Sequence, residues 1–367
     1  MRIAYDSQAF VMQSYGGISR YFTRLAQGMS DSEQQVGIFA SLHRNGYLSA
    51  LPEEVVHGKY VDHYPANTAR LFGAYNRIRS RFQMARWRPD LVHETYYSNA
   101  ATLSRHSPVV ITVYDMIHEL FPSDFSPKDE TTVFKRRAVE RADHVICISE
   151  NTKIDLMNMY GTSTNKLSVV HLGFDHFAPT ADWAQFSTPA KRPFILYVGQ
   201  RGGYKNFLGF LKAVSSSSRL LSDFDIVAFG GGRFSMSELR EISELDFSEN
   251  QVIHKSGSDE LLGSLYRSAT SIVYPSLYEG FGIPPLEAMA HQCPVISSNT
   301  SSMPEVIGSA AEYFDPADTD DIRRAIEAVV YSDYRLNELR LLGLNRIKHF
   351  SWDECSSQTL DIYKKLI

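Results

Sequence analysis

Short apolar runs alternate with longer amphipathic stretches along most of this chain. The apolar runs cover residues 1–5, 35–40, 90–93, 109–113, 144–148 and 167–171, and later residues 194–198, 225–229, 271–274 and 295–297. Such alternation is typical of parallel β-strands joined by crossover helices. The sequence therefore predicts an α/β protein built from two Rossmann-like, doubly wound domains.

The alternation pauses in a polar stretch that contains three prolines and then restarts. A chain of 367 residues is long enough for two domains, each with its own core. We predict an N-terminal domain over 1–178, a linker over 179–193 and a C-terminal domain over 194–350. Ser351, with Glu354 three residues later, predicts the start of a final helix over 351–367.

Composition narrows the classes of function. The net charge of −5 gives no general attraction to nucleic acid, and we expect no such partner. Cys147, Cys293 and Cys355 are too far apart in sequence for a metal site and suit packing in a reducing compartment. Residues 1–5 predict a strand rather than a secretion signal, and no apolar run approaches the roughly 20 residues that span a bilayer. We expect a cytoplasmic protein, either soluble or peripheral on the inner face of the membrane.

Two glutamates eight residues apart, Glu279 and Glu287, flank a Gly-Phe-Gly turn. A buried strand is predicted before them, and Pro285 predicts the first residue of a helix, which would put Glu287 in its first turn. Gly280 and Gly282 allow close approach of a ligand, and a helix start attracts an anion. Carboxylates tolerate an anion beside them when they accept hydrogen bonds from its hydroxyl groups, so the pattern indicates a nucleotide sugar. The alternative is a capped helix with solvated acids.

This motif resembles the retaining GT-B glycosyltransferases of glycosyltransferase family 4, which carry a Glu-x7-Glu signature. Residues 197–206, 229–232, 294–296 and 304–308 extend the resemblance through most of the C-terminal half, whereas the N-terminal half matches only in patches. The resemblance implies the GT-B fold, in which two Rossmann-like domains face each other across a cleft. It also implies that the C-terminal helix crosses back to the first domain.

The resemblance assigns roles to individual residues. Glu279 and the backbone of Gly280, Phe281 and Gly282 are expected to hold the sugar and the distal phosphate, and Glu287 the ribose hydroxyls. Gly230 and Gly231, together with residues 254–259, are expected beside the base. Family likeness further implies retaining transfer without metal, cofactor or covalent protein nucleophile. Similarity to bacterial mannosyltransferases favours GDP-mannose and a saccharide or lipid-linked acceptor of surface polysaccharide, such as lipopolysaccharide O-antigen, or of glycolipid.

Two cations follow the first strand of the C-terminal domain. Arg201 and Lys205 lie in a glycine-containing loop, where they could neutralise a diphosphate leaving group. The resembled family places its arginine directly after the strand-ending glycine, but Gln200 intervenes here. A solvated basic loop is the alternative.

The N-terminal domain offers weaker candidates. Gly16 and Gly17 form a turn that opens a helix, which could meet phosphate or acceptor. Asp115 and His118 follow a strand and are predicted to orient the sugar or acceptor, although related enzymes have His-Asp where this chain has Tyr114 and Asp115. His93, at the end of another strand, is a further candidate.

An acid-free segment carries arginine at positions 70, 77, 79, 81, 86 and 88. It interleaves these cations with Leu71, Phe72, Tyr75, Phe82 and Trp87. A basic helix with aromatic residues can lie on an anionic leaflet, and a solvated helix face is the alternative.

Other functions remain open to the sequence. Asp223 with Asp225 and Asp318 with Asp320 have spacings that could bind a metal, but we expect them at a strand start and a helix cap instead. A sugar-nucleotide epimerase or a phosphorylase could share the fold. A non-catalytic nucleotide-sugar-binding module is a third possibility, which the presence of Glu279, Glu287 and Lys205 disfavours.

Overall fold

The structure, a computed structural model, describes residues 1–103, 107–175 and 190–367. The chain divides into two compact units. The first unit comprises Met1–Glu119, Ser126–Gly173 and Phe350–Ile367, and the second comprises Leu120–Phe125 and Phe174–His349. The predicted linker, residues 179–193, lies largely outside the described residues, and the predicted domain boundaries stay predictions.

The first unit contains a six-stranded sheet. Its strands and those of a small additional pair are β1 (Arg2–Tyr5), β2 (Gln35–Ile38), β3 (Leu42–His43), β4 (Lys59–Tyr60), β5 (Leu91–Glu94), β6 (Val109–Val113), β7 (His144–Cys147) and β8 (Leu167–Val169). Its helices are α1 (Gln8–Met12), α2 (Gly17–Asp31), α3 (Ala69–Trp87), α4 (Ile117–Leu120), α5 (Thr131–Arg141) and α6 (Glu150–Tyr160). The sheet order is β2-β1-β5-β6-β7-β8 and every pairing is parallel. The order therefore reverses between β1 and β5.

The second unit contains another six-stranded parallel sheet. Its strands are β9 (Phe194–Val198), β10 (Asp225–Phe229), β11 (Val252–Lys255), β12 (Ser271–Tyr274), β13 (Val295–Ser298) and β14 (Ala311–Phe314). Its helices are α7 (Phe207–Ser215), α8 (Ser218–Asp223), α9 (Met236–Ser243), α10 (Asp259–Ser268), α11 (Ile283–Ala290), α12 (Met303–Ile307), α13 (Thr319–Val330) and α14 (Asp333–Arg346). The order β11-β10-β9-β12-β13-β14 is that of a Rossmann sheet and reverses between β9 and β12.

The strands predicted from apolar runs are confirmed, with ends that shift by at most two residues. All five residues of β9 are buried, as expected for a central strand covered on both faces. The three cysteines are also buried, and burial raises the pKa of each thiol to about 12. Their predicted role in packing is therefore confirmed.

The last helix, α15 (Trp352–Leu366), belongs to the first unit. Ser351 caps it as predicted, because its side chain accepts a hydrogen bond from the Glu354 backbone N–H. The helix packs on α2, where a Cβ at Gly28 would come within 2.5 Å of Ser356. Glycine at this position thus allows the two helices to approach closely.

His93 joins α15 to the sheet. Its Nδ1 lies 2.5 Å from the Tyr363 hydroxyl and its Nε2 lies 2.9 Å from Thr112 Oγ1. The imidazole is fully buried, and burial lowers its pKa to about 3. His93 therefore links core elements, and the structure does not place it with the predicted site residues.

Helix α3 buries one face only. Asn76, Ser80 and Met84 are buried, whereas Leu71, Ile78 and Phe82 are more than 60% exposed. Only some aromatic residues of the segment are exposed. Tyr75 and Phe82 face solvent, whereas Phe72 stacks on Tyr64 and Trp87 packs against the core. Within the part of the chain that the structure describes, no helix is long and apolar enough to cross a membrane.

We predict that His93 makes stability depend on pH. Its folded-state pKa is lowered, so between about pH 6.5 and pH 3 the unfolded chain binds the extra proton and stability falls as the pH falls. His93 should lower the free energy of unfolding by about 1.4 kcal/mol when the pH falls from 7.5 to 5.5. Urea unfolding of the wild type and His93→Gln at both pH values measures it. An equal loss in both proteins would contradict the prediction.

Candidate functional site

Two loops meet where the strand order of the second unit reverses. One follows β9 and the other follows β12, and crevices at such reversals are common ligand sites in open α/β sheets. The loops are joined directly, because the Leu277 N–H donates to the Tyr204 carbonyl at 2.7 Å. Asn206 adds a side-chain hydrogen bond to the Pro275 carbonyl at 3.2 Å. The sheet order thus brings together residues that lie more than seventy positions apart.

Lys205 and Glu279 form an ion pair between these loops. The Lys205 Nζ lies 2.6 Å from Glu279 Oε1, and both side chains are less than one-fifth exposed. The Ser276 hydroxyl donates to the same Glu279 oxygen at 2.6 Å. Two of the predicted site residues are therefore in contact, with a third group that fixes the carboxylate.

The glutamate loop is held by the segment that leads into α12. The Glu279 N–H donates to Ser301 Oγ at 2.9 Å, and the Ser302 hydroxyl donates to the carbonyls of Glu279 and Phe281. Gly282 has φ +94°, and a Cβ there would come within 2.6 Å of Met303. The positive φ thus favours glycine at this position, and any larger residue would also have to displace the end of the Met303 side chain.

Helix α11 begins at Ile283, two residues before the predicted start. Gly282 is its N-cap, and the prolines occupy early positions that need no N–H partner. Glu287 is consequently the fifth residue of the helix, so its expected place in the first turn is wrong. The start of α11 still follows directly on the Gly-Phe-Gly turn, and Ile283 supplies the N–H there because Pro284 and Pro285 have none.

Glu287 is buried on the inner side of α11. Its Oε2 accepts a hydrogen bond from the Tyr266 hydroxyl at 3.1 Å. Burial, and then the charge of Glu287, raise the pKa of Tyr266. Glu279 acts similarly on Tyr274, whose pKa is raised first by burial and then by that carboxylate. Both tyrosines therefore remain protonated donors near the two acids.

Arg201 lies apart from the Lys205–Glu279 pair. Its Nε donates to Glu238 at 2.6 Å, and its other nitrogens donate to the carbonyls of residues 230–233. Its guanidinium also stacks over Phe234. Arg201 and Glu238 line a cavity of about 560 Å³ whose lining residues do not include Lys205 or Glu279. In this structure Arg201 fixes the glycine loop after β10.

The glycine loop has a backbone that suits glycine. Gly230 and Gly231 have φ of +95° and +69°, and a Cβ on Gly231 would meet the Arg201 guanidinium at 2.8 Å. His254 Nε2 lies 3.2 Å from the Gly230 carbonyl. This contact joins strand β11 to the loop after β10. The expected position of both segments beside the base stays a prediction.

The first-unit candidates occupy separate places. Gly17 opens α2, with Gly16 as its N-cap in an extended conformation, and Gln13 Oε1 accepts the Ser19 N–H at 3.1 Å. The start of α2 is thus partly capped by the protein's own carboxamide.

Asp115 and His118 lie at either end of a short turn. Asp115 Oδ1 accepts the Ile117 N–H at 3.0 Å, and His118 Nε2 lies 3.9 Å from Asp129. Burial, and then the charge of Lys135, lower the pKa of His118. Sequence reasoning missed Lys135, which is fully buried and donates to Glu119 at 2.7 Å. A buried lysine on an amphipathic helix gives no distinct sequence signal.

Sequence reasoning also missed the segment Leu120–Phe125, which belongs to the second unit. Asp124 accepts the Tyr204 N–H at 3.0 Å, and the Phe121 ring lies 5.6 Å from that of Tyr204. The segment therefore supports the loop that carries Lys205.

The two pairs of aspartates whose spacing could bind a metal have other partners. Asp225 accepts hydrogen bonds from Arg192 and from the backbone N–H of Lys191, while Asp318 caps α13. These positions agree with the strand start and the helix cap that we expected.

Sequence profiles of two glycosyltransferase families match the chain. The profile described as Glycosyltransferase Family 4 covers residues 15–176, and that described as Glycosyl transferases group 1 covers residues 180–340. The chain is similar to O-antigen chain mannosyltransferase B of Escherichia coli, at 25% identity over 95% of this chain and 96% of that protein. It is 31% identical to O-antigen chain mannosyltransferase RfbU of Salmonella typhimurium over 60% of each chain.

Solved structures with the same fold include a sucrose-phosphate synthase from Thermosynechococcus elongatus. The TM-score is 0.77 at 20% identity, and the match covers 100% of this chain and 98% of that one. WaaG, a glycosyltransferase involved in lipopolysaccharide biosynthesis, gives a TM-score of 0.72 at 15% identity over 99% of both chains. Anabaena HepE, solved in complex with UDP-glucose, gives a TM-score of 0.74 at 16% identity, and the match covers 100% of both chains. The chain therefore belongs to glycosyltransferase family 4 and has the GT-B fold.

Proposed function

We propose that this glycosyltransferase moves mannose from GDP-mannose to a saccharide or lipid-linked acceptor during surface-polysaccharide synthesis, with retention of configuration at the sugar. The observation that carries the proposal is the Lys205–Glu279 pair at the strand-order reversal of the second unit. A cation and a carboxylate beside a helix start match a ligand with both phosphate and hydroxyl groups.

The choice of sugar rests on the relatives. Two O-antigen mannosyltransferases are similar to this chain, which favours mannose. HepE was solved with UDP-glucose, so a uridine donor is the alternative. A thermal-shift series with GDP-mannose, GDP, UDP-glucose and UDP would rank them, because a ligand that binds the folded state raises the apparent stability.

In the proposed reaction Lys205 supports departure of the leaving group. The bond between the sugar anomeric carbon and the diphosphate breaks, and a bond from that carbon to the acceptor oxygen forms on the same face. The acceptor proton passes to the leaving phosphate oxygen. Lys205 and the Ile283 N–H at the start of α11 stabilise the charge that develops on the distal phosphate, since Pro284 and Pro285 have no N–H to donate. Glu279, held by Ser276, accepts hydrogen bonds from sugar hydroxyls.

Arg201 and Glu287 have supporting roles in this account. Arg201 fixes the glycine loop through four carbonyl contacts, so that Gly230 and Gly231 can lie against the base. Glu287, with Tyr266 as its donor, is the proposed partner of the ribose hydroxyls. We further propose that no metal takes part, since a lysine supplies the positive charge that a metal would otherwise give.

Replacing Lys205 should slow transfer without unfolding the protein. Lys205→Gln is expected to lower kcat/KM by about 100-fold or more, because the leaving charge loses its cation. The control is Lys212→Gln, which removes an exposed lysine at the end of α7. Transfer is measured from radiolabelled GDP-mannose, with and without excess EDTA. Unchanged transfer by Lys205→Gln would refute the site, and loss of wild-type activity in EDTA would refute metal independence.

The exposed face of α3 supports a peripheral membrane location. Leu71, Tyr75, Ile78 and Phe82 recur at helical spacing on that face and are 48–72% exposed. The helix contains no acidic residue, so no carboxylate on it would oppose the attraction of its arginines to an anionic leaflet. We place the protein on the cytoplasmic leaflet, with α3 in contact with lipid.

Removing the apolar face should release the protein from lipid. The triple variant with Leu71, Ile78 and Phe82 changed to Ser is expected to bind phosphatidylglycerol vesicles at least about tenfold more weakly, because less apolar area leaves water. Leu341→Ser, at a 66% exposed position on α14, is the control. Cosedimentation measures binding. If the triple variant sedimented like the wild type, α3 would not be the membrane face.

A further inference from the structure

A cavity of about 380 Å³ lies where the strand order of the first unit reverses. Helix α1, helix α3 and the loop after β5 enclose it, with Phe134 from α5 at one side. Apolar side chains such as Val11 and Met12 share its lining with the polar side chains of Gln8 and Asn99. This mixture suits a sugar, which offers both hydroxyl groups and apolar C–H surface.

The base of the cavity is fixed by Asp6. Its carboxylate accepts the backbone N–H of Gln8 at 3.2 Å and of Thr95 at 3.1 Å, and the side chains of Gln8 at 2.7 Å and Thr102 at 3.1 Å. The Thr95 hydroxyl is a further donor to it. Four donors from Gln8 and Thr95 thus occupy the Asp6 carboxylate, and the Thr102 hydroxyl is shared between Asp6 and Glu94. The carboxylate therefore holds the loops in place and repels an incoming anion less than a bare carboxylate would.

Arg77 and Arg81 line the same cavity from α3. They are four residues apart and therefore lie on one side of the helix. Arg79 and Arg86 fall on the opposite flank, outside the cavity lining. No hydrogen bond or ion pair joins Arg77 or Arg81 to a carboxylate in the described part of the chain. Two cations at the rim of a sugar-sized cavity are suited to a phosphate.

We propose that this cavity binds a phosphorylated saccharide, with the sugar against Gln8 and Asn99 and the phosphate on Arg77 and Arg81. The inference rests on the proposed function, since such a molecule would be the acceptor of transfer. The apolar face of α3 adjoins the arginine flank, so a phosphate linked to lipid could enter the cavity while its chain stays in the leaflet.

The test compares two charge-matched variants of full-length protein. Arg77→Gln/Arg81→Gln removes the cavity arginines, and Arg79→Gln/Arg86→Gln removes the same charge from the other flank. Calorimetric titration uses glucose 1-phosphate and methyl α-glucoside as probes. All variants are also measured in a Lys205→Gln background, which removes phosphate binding at the proposed donor loop. Failure of the donor-site proposal can then be told apart from failure of the cavity proposal.

The wild type is expected to bind glucose 1-phosphate at least about tenfold more tightly than methyl α-glucoside. The cavity pair, Arg77→Gln/Arg81→Gln, should lose that preference. The control pair, Arg79→Gln/Arg86→Gln, should keep it. Equal losses in both pairs, or no preference for the phosphorylated sugar in the wild type, would overturn the proposal.

A steric variant tests the cavity without changing charge. Gly73 lies in its wall inside helix α3, and a Cβ there meets no atom within 4 Å, so Gly73→Leu should fill the cavity without lowering the unfolding temperature. It is expected to weaken binding of glucose 1-phosphate at least about tenfold. Unchanged binding by this folded variant would contradict the site.

The source of the phosphate is decided by a second probe. Farnesyl phosphoryl glucose in phosphatidylcholine vesicles presents a phosphorylated sugar on a lipid chain. Tighter binding to these vesicles than to glucose 1-phosphate, lost with the cavity pair, would support a lipid-linked ligand. Equal affinity, lost with the same pair, would support a free sugar phosphate.

Discussion

The ion pair between Lys205 and Glu279 joins the two loops that form the proposed donor site. It forms because β9 and β12 are neighbours in the sheet although two other strands separate them along the chain. Partly burying both charges is costly, and the pairing, with Ser276 as an extra donor, offsets that cost. The same loops are also held together by the Leu277 N–H, which donates to the Tyr204 carbonyl, and by the Asn206 side chain, which donates to the Pro275 carbonyl.

The same pair explains how charge can be managed during the reaction. In the structure Lys205 is paired with Glu279. In the proposed complex a diphosphate would give Lys205 a second anionic partner, and Glu279 would accept hydrogen bonds from the sugar hydroxyls. We therefore propose that the two side chains act together in recognising the donor. Arg201 has a supporting role in this account, because its guanidinium is bound to Glu238 and to the carbonyls of the glycine loop.

Apolar periodicity is a local property, so sequence patterns predicted most strands of both sheets, although not β11 or β14. The sequence also assigned Lys205 and Glu279 to one site, but their ion pair joins residues 74 positions apart and was found only in the structure. Sequence patterns misplaced the start of α11, since Gly282 in a left-handed conformation provides the cap before two prolines. They could not find Asp124, which supports the Lys205 loop from a distant part of the chain. The partners of Arg201 were equally hidden, because Glu238 and Gly230 lie 37 and 29 positions away along the chain.

The central claim is that Lys205 recognises the distal phosphate of the donor. Its most direct test compares dissociation constants for a nucleoside diphosphate and the matching monophosphate, using whichever of GDP, UDP and ADP binds best. The account predicts that the wild type prefers the diphosphate by about tenfold or more, and that Lys205→Gln brings the two constants nearly together. The same preference in both proteins would contradict the account.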